Sequence, residues 1–99
     1  MDIRHLSEEM TRFVASKGWF EVGSPRPQTA RNIATSLVVE AAEVLEHFQW
    51  GEERVDKSKL AGELADVFLY LLELASITGI DLERAALDKL QVNYGRTWE

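Results

Sequence analysis

The stretch Ser58–Thr78, SKLAGELADVFLYLLELASIT, decides the fold. Leu60, Leu64, Val67, Leu71 and Leu74 recur at steps of three and four, which is the period of a helix and not of a strand. Phe68, Leu69 and Leu72 widen the apolar surface beyond what one neighbouring helix requires. A helix of this kind is central to a bundle or also lies at a subunit interface. Gly79 follows the last periodic residue and closes the segment. Beside the apolar positions sits the acidic pair Glu63-Leu-Ala-Asp66.

Working outward, the charged connection Glu52–Lys57 precedes this helix, and another helical pattern spans Thr29–Trp50. Thr29 suits an N-cap, and Gly51 suits a helix end with positive φ. Ile33, Ala34, Leu37, Val38, Ala41, Val44, Leu45 and Phe48 form its broad apolar face. It carries a second acidic pair, Glu40-Ala-Ala-Glu43. The segment Trp19–Gln28, with Gly23, Pro25 and Pro27, reads as an irregular and mobile loop. Ahead of it, Ile3, Leu6, Met10, Phe13 and Val14 mark a helix over Ile3–Lys17 that ends at Gly18. A last helix follows the N-cap Asp81 and runs to Tyr94, with Gly95 past its end. No segment alternates with period two, so the expected class is all-α, a four-helix bundle in one domain spanning residues 1–99.

Composition bounds the function. The 99 residues include no cysteine, which excludes disulfide scaffolds and thiolate zinc sites. Eleven basic against 17 acidic residues leave a net charge of −6, so duplex DNA or RNA is a poor partner. With neither a cationic leader nor a long apolar run, a cytoplasmic protein without membrane contact is expected. A chain this short buries a modest share of its surface, which favours self-association.

On a helix, residues at i and i+3 lie about 60° apart, so each acidic pair presents two carboxylates on one strip. Both strips border an apolar face, and packing of the two helices brings them together at the rim. Four converging carboxylates repel one another unless cations lie between them, and hard divalent ions such as Mg²⁺ or Mn²⁺ suit an oxygen-only environment. The other reading of the same spacing is a set of ordinary solvated acids. Glu46 is either an assisting ligand or an exposed surface residue, and His47 is placed at the rim of the acidic strip. A di-iron carboxylate site needs Glu-x-x-His on two helices, whereas Val44 stands three residues before His47. Nucleophilic triads and Gly-rich phosphate loops find no support.

The run Arg31-Asn32-Ile33, Glu40-x-x-Glu43, Phe48-Gln49-Trp50 and Glu63-x-x-Asp66-Val67-x-x-Tyr70-Leu71 resembles the all-α nucleoside triphosphate pyrophosphohydrolases of the MazG type. The small dCTP pyrophosphatase branch is the most similar, and Gly79-Ile80-Asp81-Leu82 and Lys89-x-x-x-Asn93 match its closing helix. Val39 stands where the wider family has a further glutamate, a departure that branch shares. Arg96-Thr97-Trp98 replaces the branch's usual ending. The Trp19–Thr29 segment is longer than the pattern, which leaves base specificity open.

The resemblance implies cleavage of a nucleoside triphosphate to its monophosphate and pyrophosphate. It makes Glu40, Glu43, Glu63 and Asp66 the ligands of Mg²⁺ (or Mn²⁺), with Glu40 or Glu43 taking the proton of the attacking water. Lys89, Asn93 and Arg96 become candidates for holding phosphates, Trp19 and Trp50 for stacking on the base, Tyr70 for meeting a phosphate or the sugar, and Asn32 for hydrogen-bonding the base edge. It further implies a homo-oligomer, a tetramer in preference to a dimer, and a house-cleaning role in which dCTP or a modified cytosine nucleotide is removed. The competing reading is a non-catalytic helical module that binds another protein through its apolar faces.

Overall fold

The computed structural model describes residues 1–98. Among them are four α-helices and no strand: α1 (Ile3–Ser16), α2 (Ala30–Glu46), α3 (Lys57–Thr78) and α4 (Leu82–Tyr94), with one 3₁₀ turn at Glu52–Arg54 before α3. Each start is set by a short polar side chain that accepts from an otherwise unpaired backbone N–H. Asp2 caps α1, Thr29 caps α2, Asp56 caps α3 and Asp81 caps α4.

The all-α expectation holds, and the ends differ from it in detail. Instead of running to Trp50, α2 stops at Glu46. The amides of His47, Phe48 and Gln49 reach back three residues to Val44, Leu45 and Glu46, so the chain tightens into turns before Gly51 reverses it at φ 112°. At the other end of the long helix, Gly79 adopts φ 74° and its successor's amide bonds Ala75 O at 2.8 Å. No L side chain takes this left-handed conformation without strain. Gly79→Ala is therefore expected to lower the unfolding free energy by about 1 kcal/mol, read as a shift in the denaturant midpoint with unchanged slope; no shift would show that the turn is not needed to end α3.

The core sits where α1 and α2 both lie on α3, which is the central helix as its surplus of apolar residues requires. Met10 and Val14 come from α1, Ile33 from α2, and Leu72 and Ala75 from α3. By contrast, α4 packs lightly on the rest and contributes no buried residue. Leu64, Phe68 and Leu71 on α3 and Leu87, Leu90 and Val92 on α4 remain exposed. The accessible surface is 7772 Å², against about 5,700 Å² for a compact monomer of this mass. The radius of gyration is 16.0 Å, against about 12.6 Å for a compact chain of this length. No helix of the described residues is long and apolar enough to cross a membrane.

Candidate active site

Two facing stripes define the site. On α2, Asn32, Ser36, Glu40, Glu43 and His47 follow one another at steps of four and three; on α3, Glu63, Asp66, Tyr70 and Glu73 do the same. The helices run antiparallel. His47 Nε2 near the end of α2 lies 3.8 Å from Glu63 Oε1 near the start of α3, and the opposite ends meet around Ile33 and Glu73. The groove between the stripes is acidic at one end and aromatic at the other.

At the acidic end, carboxylate oxygens of Glu40, Glu43 and Glu63 lie within 4.8 Å of one another, and all three side chains are half-buried. Asp66 lies outside that group and is exposed, yet its charge still acts on Glu40. The Glu40 carboxyl is pushed up from 4.5 to about 7. Desolvation is the largest cause, followed by a hydrogen bond from protonated Glu40 to Glu43 and by the charges of Glu43, Asp66 and Glu63. Glu63 Oε2 is buried without a hydrogen-bond partner. An all-oxygen donor set, an orphaned buried carboxylate oxygen and mutual repulsion together fit a hard divalent cation, which satisfies the oxygens and offsets the charge. His47 and Glu46 border the same shallow hollow, His47 at its rim as the spacing predicts.

At the aromatic end a cleft of about 480 Å³ opens between α1, α2, α3 and the loop that follows α1. Trp19, Asn32 and Tyr70 all line it. Trp19 is held edge-on by Phe13, with ring centroids 5.8 Å apart, and the Arg26 guanidinium lies 5.2 Å from the Trp19 ring. Asn32 Nδ2 donates to Pro27 O at 2.9 Å, which ties the loop to the start of α2. The loop has no regular element, as expected, but turns and side chains stitch it: Ser24 Oγ accepts from the Arg26 amide, and Gln28 Nε2 donates to Arg26 O. It forms a wall of the cleft.

The remaining candidates lie elsewhere. Trp50 sits in the turns beyond α2, exposed, and does not line the cleft. Lys89 is exposed on α4, and neither it, Asn93 nor Arg96 borders the cleft or the acidic hollow. Arg96 instead stacks on Trp98 at 4.2 Å, and Trp98 Nε1 donates to Asn93 O at 3.2 Å. The reason is the light packing of α4, which carries the C-terminal candidates away from the groove of their own chain. The residue that sequence reasoning passes over is Glu73. It is 2% exposed, lines the cleft, and its Oε2 has no hydrogen-bond partner. Within an apolar run it reads as one acid among leucines; the signal was its place three residues after Tyr70 on the Glu63–Asp66 stripe.

Residues 35–97 match the MazG-like family. The chain belongs to the MazG-like family. It is 35% identical over 104 aligned residues to dCTP pyrophosphatase 1 of Homo sapiens and 34% identical to that of Rattus norvegicus, in each case over 96% of this chain and 56% of the relative. This MazG-like chain thus spans about half the length of the curated relatives it matches. A shorter stretch, 39% of the chain, is 44% identical to a dATP/dGTP diphosphohydrolase of Salmonella phage PMBT28, covering 13% of that protein.

Proposed function

We propose that this MazG-like chain is a divalent-metal-dependent nucleoside triphosphate pyrophosphohydrolase that converts a (d)NTP and water to the (d)NMP and pyrophosphate. The observation that carries this is the convergence of Glu40, Glu43 and Glu63 across the α2–α3 groove, with a cleft for a flat ring further along the same groove. Family membership and the names of the relatives support the reaction class.

Glu40, Glu43, Glu63 and Asp66 would hold Mg²⁺ or Mn²⁺. A divalent ion there supplies positive charge to the triphosphate oxygens and acidity to a water molecule. Without it the acidic end repels a polyanionic substrate. Glu40 or Glu43 would accept the proton of the attacking water. Trp19 and Tyr70 form the walls for the base and sugar, and Asn32 offers a polar group at the cleft edge. Stacking of this kind contributes about 1–3 kcal/mol per base. Trp19→Ala is accordingly expected to raise KM by about tenfold or more with little change in kcat; an unchanged KM would remove Trp19 from the substrate site.

The preferred substrate is dCTP or a modified cytosine nucleotide, and the role is house-cleaning of the nucleotide pool in the cytoplasm by a single domain. The exposed apolar stripes of α3 and α4 support a homo-oligomer, with a tetramer favoured over a dimer. Lys89, Asn93, Arg96 and Trp50 keep a role in binding phosphates and base through such an assembly. Turnover of a panel of NTPs and dNTPs tests the reading: the highest kcat/KM is expected for dCTP or its modified forms, and the absence of any turnover with Mg²⁺ or Mn²⁺ overturns it.

A further inference from the structure

Glu73 is a buried acid with an oxygen that no hydrogen bond reaches, and it lines a cleft whose walls include Phe13, Trp19 and Tyr70. A carboxyl group is costly to bury unless a donor or a positive charge pairs with it. No ion pair satisfies Glu73 among the described residues. Burial also pushes its carboxyl up from its ordinary value. Arg26 is the basic residue of the cleft wall, and its guanidinium rests 5.2 Å from the centre of the Trp19 ring, not on the acid. A flat cation is thus already seated on the ring against which a base would stack. Along α3, Glu73 stands seven residues beyond Asp66, about 10 Å further along the helix axis. A base beside Glu73 and phosphates at the acidic end are then separated by roughly the length of a nucleotide.

We propose that the cleft selects nucleotides whose base is a cation, as a base becomes when a ring nitrogen is alkylated, and that Glu73 is the residue that reads the charge. The inference rests on the nucleotide reading given above and names which modified base that reading leaves open. Among neutral bases the acid makes no choice, because a carboxyl group hydrogen-bonds the amino edge of cytosine and the keto edge of uracil alike. A positive charge is read differently. It acts on a buried oxygen without touching it, and a partly enclosed cleft screens it less than open water does. It also favours the ionised carboxyl, so that ligand and acid stabilise each other. The Trp19 ring adds to the same preference, since an aromatic face attracts a cation. Arg26 is exposed, and turns out to solvent when such a base takes its place on the ring. A base alkylated on a ring nitrogen is a damaged one, which fits removal from the nucleotide pool.

Equilibrium binding of 3-methyldeoxycytidine and 5-methyldeoxycytidine monophosphates separates charge from bulk: each carries one added methyl group, and only the first is a cation near neutral pH. Binding is measured with Mg²⁺ present, beside hydrolysis of the corresponding triphosphates and of dCTP. The wild-type chain is expected to bind the cationic nucleotide about tenfold or more tightly than the neutral one. Glu73→Gln keeps the shape and carries no charge, and is expected to reduce that ratio to about threefold or less, the remainder coming from Trp19. Helicity by circular dichroism is expected to be unchanged in the variant, and the wild-type ratio is read without it. A wild-type ratio near unity, a ratio that survives Glu73→Gln in the folded chain, or no binding of either nucleotide overturns the proposal. Turnover of dCTP to monophosphate and pyrophosphate with no preference for the cation refutes the role of Glu73 and leaves the reaction standing. Preference for the cation without turnover of any triphosphate supports Glu73 and refutes the pyrophosphohydrolase.

Discussion

Glu40→Gln is expected to lower kcat by about 10³-fold or more while making the metal-free protein more stable. The two effects have one cause. Glu40 lies against Glu43 and Glu63 and feels Asp66, so its charge is unfavourable in the folded chain without a cation. Gln keeps the shape and removes the charge, relieving about 1–2 kcal/mol at pH 8 once screening by the solvent around this half-buried cluster is allowed for. On the proposed function the same change also removes a proton acceptor and a metal ligand. A variant that is less active yet less stable would mean that Glu40 serves packing. A variant that is more stable and fully active would mean that the cluster is a set of bystanding acids on a protein-binding module.

The second large effect is a fall in stability with rising pH that divalent metal reverses. Glu40 ionises near 4.5 in the unfolded chain and at about 7 in the fold. Between these values the native state holds a proton that the unfolded state has released. Unfolding free energy therefore declines from pH 4.5 to 7 and levels off above that range, the cost of the ionised cluster being fully present there. Glu73, raised by burial, acts in the same direction. The metal-free melting temperature is expected to drop by about 5–10 °C between pH 5.5 and pH 8. Mg²⁺ at about a hundred times its dissociation constant restores roughly 2.7 kcal/mol at pH 8. In Glu40→Gln the pH dependence shrinks and the metal effect disappears. A melting temperature that rises with pH, or one that Mg²⁺ leaves unmoved at pH 8, contradicts the cluster as described.

Much of this site was legible in the residues because helical spacing is a rigid constraint. Two i,i+3 acidic pairs bordering apolar faces approach when those faces pack; Glu40, Glu43 and Glu63 come together in this way, whereas Asp66, expected as the fourth, stays exposed outside the group. The caps Thr29 and Asp81 and the left-handed Gly79 follow from local chemistry that needs no tertiary context. Where tertiary context decides, the residues say less. The last helix was read from its cap Asp81 and from Gly95, which say nothing of its neighbours, and in a single chain its Leu87, Leu90 and Val92 are exposed. For the same reason Lys89, Asn93 and Arg96 are not carried into the groove of their own chain. Trp50 was placed by extending α2 through residues whose amides turn to three-residue bonds instead. Glu73 was hidden because a single acid in an apolar run carries no pattern of its own; its meaning comes from the cleft that α1 and the Trp19–Gln28 loop build over it.

The central claim is that this acidic groove directs cleavage between the α- and β-phosphates. The most direct measurement resolves the products of dCTP hydrolysis by phosphorus NMR, with Mg²⁺ and with chelator, for the wild-type chain and Glu40→Gln. Monophosphate and pyrophosphate, formed only with metal and lost in the variant, is the predicted result. Diphosphate and inorganic phosphate, or turnover that survives both chelator and Glu40→Gln, would contradict it.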